Sequence, residues 1–330
     1  MKIITVEEHI SGVPIDRYLA KYALEDAPYM AAAHGKGRPY EADPVLFGDT
    51  DRCRIADMDK NGISVQILSC PSKSQLLPKG EAPQIVSETN DFLAETVKRH
   101  PDRYGAFALL PWSNVKAAVK EAERIKKLGF NGVLLSGRAT SGDAFLDDKQ
   151  FIPVLEACAE LELPIYIHPA APLNTVQKPY YGGLGEEVSA RLSLHGWGWH
   201  NEAGIQILRT ILAGRFDMFP KLQFIAGHWG EMLPFFLSRI DQSMPQSVTK
   251  LERTVTDTFK ENVYVTPSGI FDYPQLKFCV EVLGAERIIH SVDCPFISNE
   301  GAVPFIENAP LSDTDKELIA YKNAEKLFKL

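Results

Sequence analysis

The chemistry in this 330-residue sequence is concentrated where short apolar runs end. One run closes on Glu7-Glu8-His9 and another on Ile167-His168-Pro169. A third runs into Gly227-His228-Trp229-Gly230-Glu231, and a fourth into Val292-Asp293-Cys294-Pro295. Imidazole and ionised carboxylate are suitable donors for divalent first-row metal ions. Glu7 and His9 stand two apart, so on a strand they share a face, while Glu8 points the other way into a structural role. Glu7, His9, His168 and Asp293 together make a candidate two-histidine, two-carboxylate metal site. Its two carboxylate charges offset those of a divalent cation, which leaves room for an anionic substrate. Zn²⁺ and Mn²⁺ suit the donor set, and Mg²⁺ is less natural for imidazole. Cys53, Cys70, Cys158, Cys279 and Cys294 are scattered and form no Cys-x-x-Cys pair, so neither a disulfide framework nor a zinc knuckle competes.

His228 and Glu231 have a separate role. Three residues apart at a helix start, they are one turn from each other, and the carboxylate can fix the imidazole's tautomer or keep it charged. Arg239 follows about two turns after Glu231 on a similar helical face. Among the eight histidines, His195 and His200 flank the Trp197/Trp199 pair and are candidates for substrate contact. His34, His100 and His290 carry less. The run Leu134-Leu135-Ser136-Gly137 contains no lysine. A carbamylated lysine bridging two metals therefore has no candidate there, and one ion is expected.

These residues need a frame that delivers strand ends to one rim. Short Val-, Ile- and Leu-rich runs are predicted as strands at Ile3–Val6, Val65–Ser69, Ala106–Leu110, Gly132–Leu135, Pro164–His168, Gln223–Gly227, Val263–Thr266 and Ile288–Val292. Helical patterns separate them, including Pro83–Arg99, Val115–Leu128, Phe151–Leu161, Glu202–Ala213, Glu231–Asp241, Tyr273–Leu283 and Asp313–Leu330. Eight strand–helix units in this length predict an α/β fold, a (β/α)8 TIM barrel spanning 1–330 as one domain. A doubly wound sheet is the rival, but no Gly-rich nucleotide turn occurs. Residues 11–49 and 170–199 are long segments after the first and fifth strands, expected as rim insertions over an active site. The sequence is 45% hydrophobic and 24% charged with net charge −8, which argues against a nucleic-acid partner. No run approaches the ~20 apolar residues of a membrane span. MKIITVEEH has charges where a signal peptide would have its apolar core, so a cytoplasmic protein is expected.

Glu7-x-His9, His168-Pro169, Gly227-His228-x-Gly230-Glu231 and Asp293-x-Pro295-Phe296 resemble, in order along nearly the whole chain, the amidohydrolase superfamily. Glu-x-His on the first strand, in place of His-x-His, narrows the resemblance to the hydroxybenzoate decarboxylase branch. The resemblance implies that Arg54, in Arg54-x-x-x-Met58-Asp59, reaches the pocket. It implies that Trp197 is an active-site tryptophan and that Arg239 lies near the substrate carboxylate. It further implies a homodimer or homotetramer, a small aromatic carboxylate as substrate, and Asp293 as proton donor. The Ala170–Trp199 loop and the His290-Ser291-Val292 lead-in are departures from the family pattern.

The implied reaction is non-oxidative decarboxylation of a hydroxylated aromatic acid. The metal would chelate a carboxylate oxygen and the ortho oxygen, Asp293 would supply a proton to the ring, and His228 with Glu231 would hold or relay charge. Two alternatives use the same residues. One is a metal-dependent hydrolase of a lactone or amide, with Asp293 as base. The other is a catalytically silent barrel with a closed structural metal.

Overall fold

The computed structural model describes residues 1–33 and 42–330. His34 lies outside the described residues. Seven strands are formed: β1 (Ile4–His9), β2 (Val65–Ser69), β3 (Tyr104–Ala108), β4 (Gly132–Ser136), β5 (Ile165–His168), β6 (Phe224–Ala226) and β7 (Val263–Val265). They lie in one parallel sheet in sequence order. Each is a short apolar run buried on both faces, as parallel strands covered by helices must be. Leu134 shows one face of β4 and Val133 and Leu135 the other. Leu134 packs with Ile4, Ile67, Phe107, Tyr166, Ile225, Tyr264 and Ile289, drawn from around the whole sheet. Val133 and Leu135 belong to the larger core between sheet and helices.

The eighth expected strand, Ile288–Val292, is not a regular strand. Its residues make single bridges, Ile288 to Val265 and Ser291 to Val6. The amide of Ile289 donates to Val265 (3.0 Å) and that of Val6 to the carbonyl of His290 (3.1 Å), so the segment joins β7 to β1 and the sheet's edges meet. The ladder is interrupted because the His290 amide donates out of the sheet, to Ile319 at 3.0 Å. The expected final helix runs from Asp313 to Phe328 and widens over Leu318–Lys322.

The described residues of the two long segments are largely helical. After β1 come the helices Asp16–Asp26, Met30–Ala33 and Pro44–Gly48. After β5 come Asn174–Tyr181, Glu186–Ser193 and Gly198–Leu212. The two segments touch each other: Ala27 and Ala33 pack with Ala171, Ala190 and Leu194, with Met30 and Trp199 against them. That small cluster lies over the strand ends that carry Glu7, His9 and His168. Among the described residues no helix is long and apolar enough to cross a membrane.

Candidate metal and catalytic centre

The last residues of β1 depart from a regular strand. Its pairing with β2 slips between Thr5 and Glu8, and Glu7 lies at φ +67°, in the left-handed region. The irregularity re-aims the backbone locally at Glu7, while Glu7 and His9 still share a face and Glu8 takes the other. Glu7 turns inward, where its Oε2 accepts from the hydroxyls of Tyr166 and Ser268. Its Oε1 is buried, makes no hydrogen bond, and lies 3.7 Å from His168 Nε2.

Two imidazoles face it. His168 Nδ1 donates to the Pro169 carbonyl at 2.8 Å, an acceptor only, so Nε2 presents a lone pair. His9 Nδ1 meets Ser69 Oγ at 2.8 Å. Its Nε2 is buried without a hydrogen bond, although Asp293 Oδ1 is 3.2 Å away. Burial pushes His9 down to about 3 and His168 well below the usual imidazole range, so both are neutral. Burial pushes the Glu7 and Asp293 acids up. Buried lone pairs aimed at one another are costly unless a proton or a cation lies between them. The donor atoms of Glu7, His9 and His168 all fall within 4.8 Å of one another. An ion ~2.1 Å from each would satisfy them. The residues therefore fit a divalent metal, and the structure brings the four predicted ligands together.

Gly227 explains how close the packing is. A Cβ there would stand 2.9 Å from both Ser268 Oγ and Tyr166 Oη, and 3.4 Å from Glu7 Oε1. After it the chain makes a left-handed turn, with φ +48° at His228, +58° at Trp229, +81° at Gly230 and +52° at Glu231. The amide of His228 donates to Ser268 Oγ at 3.0 Å, which ties this turn to the Glu7 carboxylate. The helix expected from Glu231 begins instead at Leu233. Glu231 is thus in the turn, not on a helical face with Arg239.

Inside the turn, Glu231 bridges two imidazoles. Its Oε1 is 2.9 Å from His228 Nδ1 and its Oε2 is 2.9 Å from His200 Nδ1. The two rings lie 4.3 Å apart between centroids. Burial would lower His228, but the adjacent Glu231 carboxylate, with Glu7 and Asp293 beyond it, outweighs burial and raises His228 to about 9. Burial would raise Glu231, yet His228 and His200 outweigh that and hold it below the usual range. The His228–Glu231 spacing was legible in the sequence. The bridging place of His200 was not, because it depends on how Gly198–Leu212 crosses the turn. A Cβ on Gly204 would stand 2.8 Å from the Glu231 carbonyl, so this helix packs directly on it.

His168, His228 and Asp293 open onto a cavity of about 410 Å³ beneath the two helical segments. Lys73, Ser136, His195, Trp199, His200, Ile270 and Phe296 also line it, and Lys73 is paired with Asp26 at 2.6 Å. Three expectations from the family resemblance are corrected. Arg54 is fully buried behind the site, donating to the carbonyls of His9 and Leu46 and to Gln66, and does not line the cavity. Trp197 is 49% exposed and outside the cavity, whereas Trp199, two residues on, is in its wall. Arg239 is exposed on the helix Leu233–Ser243, also outside the cavity of this chain.

Comparison with known proteins finds relatives along most of the chain. A family model described as amidohydrolase matches residues 55–330. The chain is 35% identical over 290 residues to a gamma-resorcylate decarboxylase from a Polaromonas species, covering 84% of this chain and 86% of the relative. A dihydroxybenzoic acid decarboxylase structure from Polaromonas, with bound manganese and the inhibitor 2-nitroresorcinol, superposes with TM-score 0.84 at 31% identity, covering 100% and 97% of the two chains. The 5-carboxyvanillate decarboxylase from Sphingomonas paucimobilis superposes with TM-score 0.88 at 28% identity, covering 100% and 99%.

Proposed function

Because the chain belongs to the amidohydrolase family, we propose that it is a metal-dependent, non-oxidative decarboxylase of a small hydroxylated aromatic acid. The observation that carries this reading is the pair of buried, unpartnered ligand atoms, Glu7 Oε1 and His9 Nε2. They converge with His168 and Asp293 beside a cavity that also holds a charged imidazole. The curated relative that shares 35% identity is a decarboxylase, which favours this over the hydrolase and the silent barrel. The architecture we infer is one (β/α)8 barrel whose helical segments at 11–49 and 170–199 roof the cavity.

Glu7, His9, His168 and Asp293 would hold one divalent ion, Mn²⁺ or Zn²⁺ ahead of Mg²⁺. When bound, the ion supplies Lewis-acid stabilisation of oxygen charge and a template for the substrate carboxylate and ortho oxygen. The chain's own residues do the rest. Trp199, Ile270 and Phe296 wall an aromatic ring and exclude water. His228, charged through Glu231, balances the substrate's negative charge. Asp293 delivers a proton to the ring carbon that bears the carboxylate. The ring π system supplies the electron pair for that new C–H bond. The C–C bond to the carboxylate then breaks, its electrons restore the aromatic ring, and CO₂ leaves. Water returns a proton to Asp293.

All five cysteines are free, and four of them are buried, which suits a reducing compartment such as the cytoplasm. Phe235 and Phe236, 71% and 50% exposed on the helix that carries Arg239, support a homodimer or homotetramer. Metal-loaded protein incubated with a panel of hydroxybenzoates should release CO₂ with loss of ultraviolet absorbance. Bound metal with no turnover on any aromatic acid defeats the reading.

A further inference from the structure

We propose that Glu8 is a positioning residue for Asp293: its buried carboxylate clamps the two peptide N–H groups that flank Asp293 and so sets where that side chain stands. Glu8 Oε1 accepts the Val292 N–H at 3.1 Å, and Oε2 accepts the Cys294 N–H at 3.2 Å. These are the residues immediately before and after Asp293. Asp293 lies at φ +69°, a conformation that is strained for a residue with a Cβ unless its surroundings over-determine it. A carboxylate offers two acceptors in one rigid plane, which is what two neighbouring amides require.

The clamp is itself held from behind. Gln66 Nε2 reaches Glu8 Oε2 and Asn299 Oδ1, each at 3.4 Å. Gln66 Oε1 accepts from Arg54 at 3.0 Å, and Arg54 also donates to the His9 carbonyl. The His9 amide closes the loop by donating to the Cys294 carbonyl at 2.6 Å. The network thus fixes His9 and Asp293 against each other, consistent with the 3.2 Å between their facing side-chain atoms. Glu8, Arg54 and Gln66 are fully buried and none of them lines the cavity. Glu8 therefore does not touch substrate, and the two peptide N–H groups it accepts from are those that flank Asp293. Strand alternation turns Glu8 behind the ligands while Glu7 and His9 face inward.

The inference rests on the reading of Asp293 as ligand and proton donor, and its test has an arm that does not. Glu8→Gln keeps the shape but leaves one acceptor oxygen, so one flanking amide meets an NH₂ group. In full-length Mn²⁺-loaded enzyme, E8Q should lose on the order of 10²-fold in kcat with KM unchanged, and should weaken Mn²⁺ binding. In a D293N background, E8Q should add no further loss in either quantity. A second full loss in the double variant overturns the proposal, because a merely structural change would act independently of Asp293. The independent arm is amide hydrogen exchange in metal-free protein. E8Q should accelerate exchange in residues 288–297 and leave β6 unaffected, and unchanged exchange there overturns the proposal. If E8Q does not fold, Glu8→Asp, which keeps the carboxyl group and shortens the arm, goes through the same cycle. If the wild type turns over no aromatic acid, the decarboxylase reading fails, while the exchange and Mn²⁺ arms still decide this one.

Discussion

Substituting Glu231 by Gln tests the charge logic of the site directly. Glu231 Oε1 and Oε2 each accept from an imidazole at 2.9 Å, whereas glutamine can accept through only one of those atoms. The elevation of His228 from 6.5 to about 9 corresponds to ~3 kcal/mol in favour of the imidazolium. Because the folded value lies above the unfolded one, that stabilisation is fully present below pH 6.5 and is lost as pH rises through 9. Bound metal would offset Glu7 and Asp293, so Glu231 carries most of the elevation in the working enzyme. With an ordinary imidazole pKa, about 3% of His228 would be charged at pH 8, against about 90% in the wild type. Burial lowers the imidazole further once the carboxylate is gone, so a decarboxylase that needs the charged form should lose at least roughly 30-fold in kcat at pH 8 on substitution, with the deficit shrinking as pH falls. The assay is a pH–kcat profile of both proteins loaded with the same metal. Thermal melts over the same range should show E231Q least stable, relative to wild type, at low pH, with the gap closing above pH 9. A basic limb of the E231Q profile that coincides with wild type would refute the assignment of His228 as a charged participant.

The remaining predictions concern the metal and the cavity wall. Removing divalent ions with a chelator should lower the melting temperature, and restoring Mn²⁺ at 100 times its dissociation constant should add back ~2.7 kcal/mol; an unmoved melt denies the metal site. Gly227→Ala should retain the fold by circular dichroism yet weaken Mn²⁺ in calorimetry by at least tenfold, because its Cβ would stand 2.9 Å from two of the hydroxyls around Glu7. Trp199→Ala should raise KM for the aromatic acid about tenfold or more by removing part of the ring's wall, whereas Trp197→Ala should leave KM unchanged.

The difference between these two tryptophans shows where sequence reading reaches its limit. Strand ends are legible because two things coincide there: a short apolar run and a polar residue just after it. Glu7, His9, His168, His228 and Asp293 were all found that way, and the structure gathers them at one rim. Trp197 and Trp199 share Gly198 between them, and helix phase separates them. The helix begins at Gly198, so Trp199 turns to the cavity and Trp197 to solvent. Arg239 failed for a related reason. Its projected face was counted from Glu231, but the intervening chain runs left-handed to Met232 at φ +67° before the helix begins. Arg54 failed because nothing local separates an arginine that meets substrate from one that satisfies buried carbonyls. Only the location of Leu46, Gln66 and the His9 carbonyl decides it. The left-handed turn at His228 is itself held by Ser268 at 3.0 Å, a residue 40 positions away. A conformation stabilised at such range leaves no periodicity in the sequence. The spacing of His228 and Glu231 announced that a pair was wanted, and the fold supplied both the turn that makes it and the third member, His200.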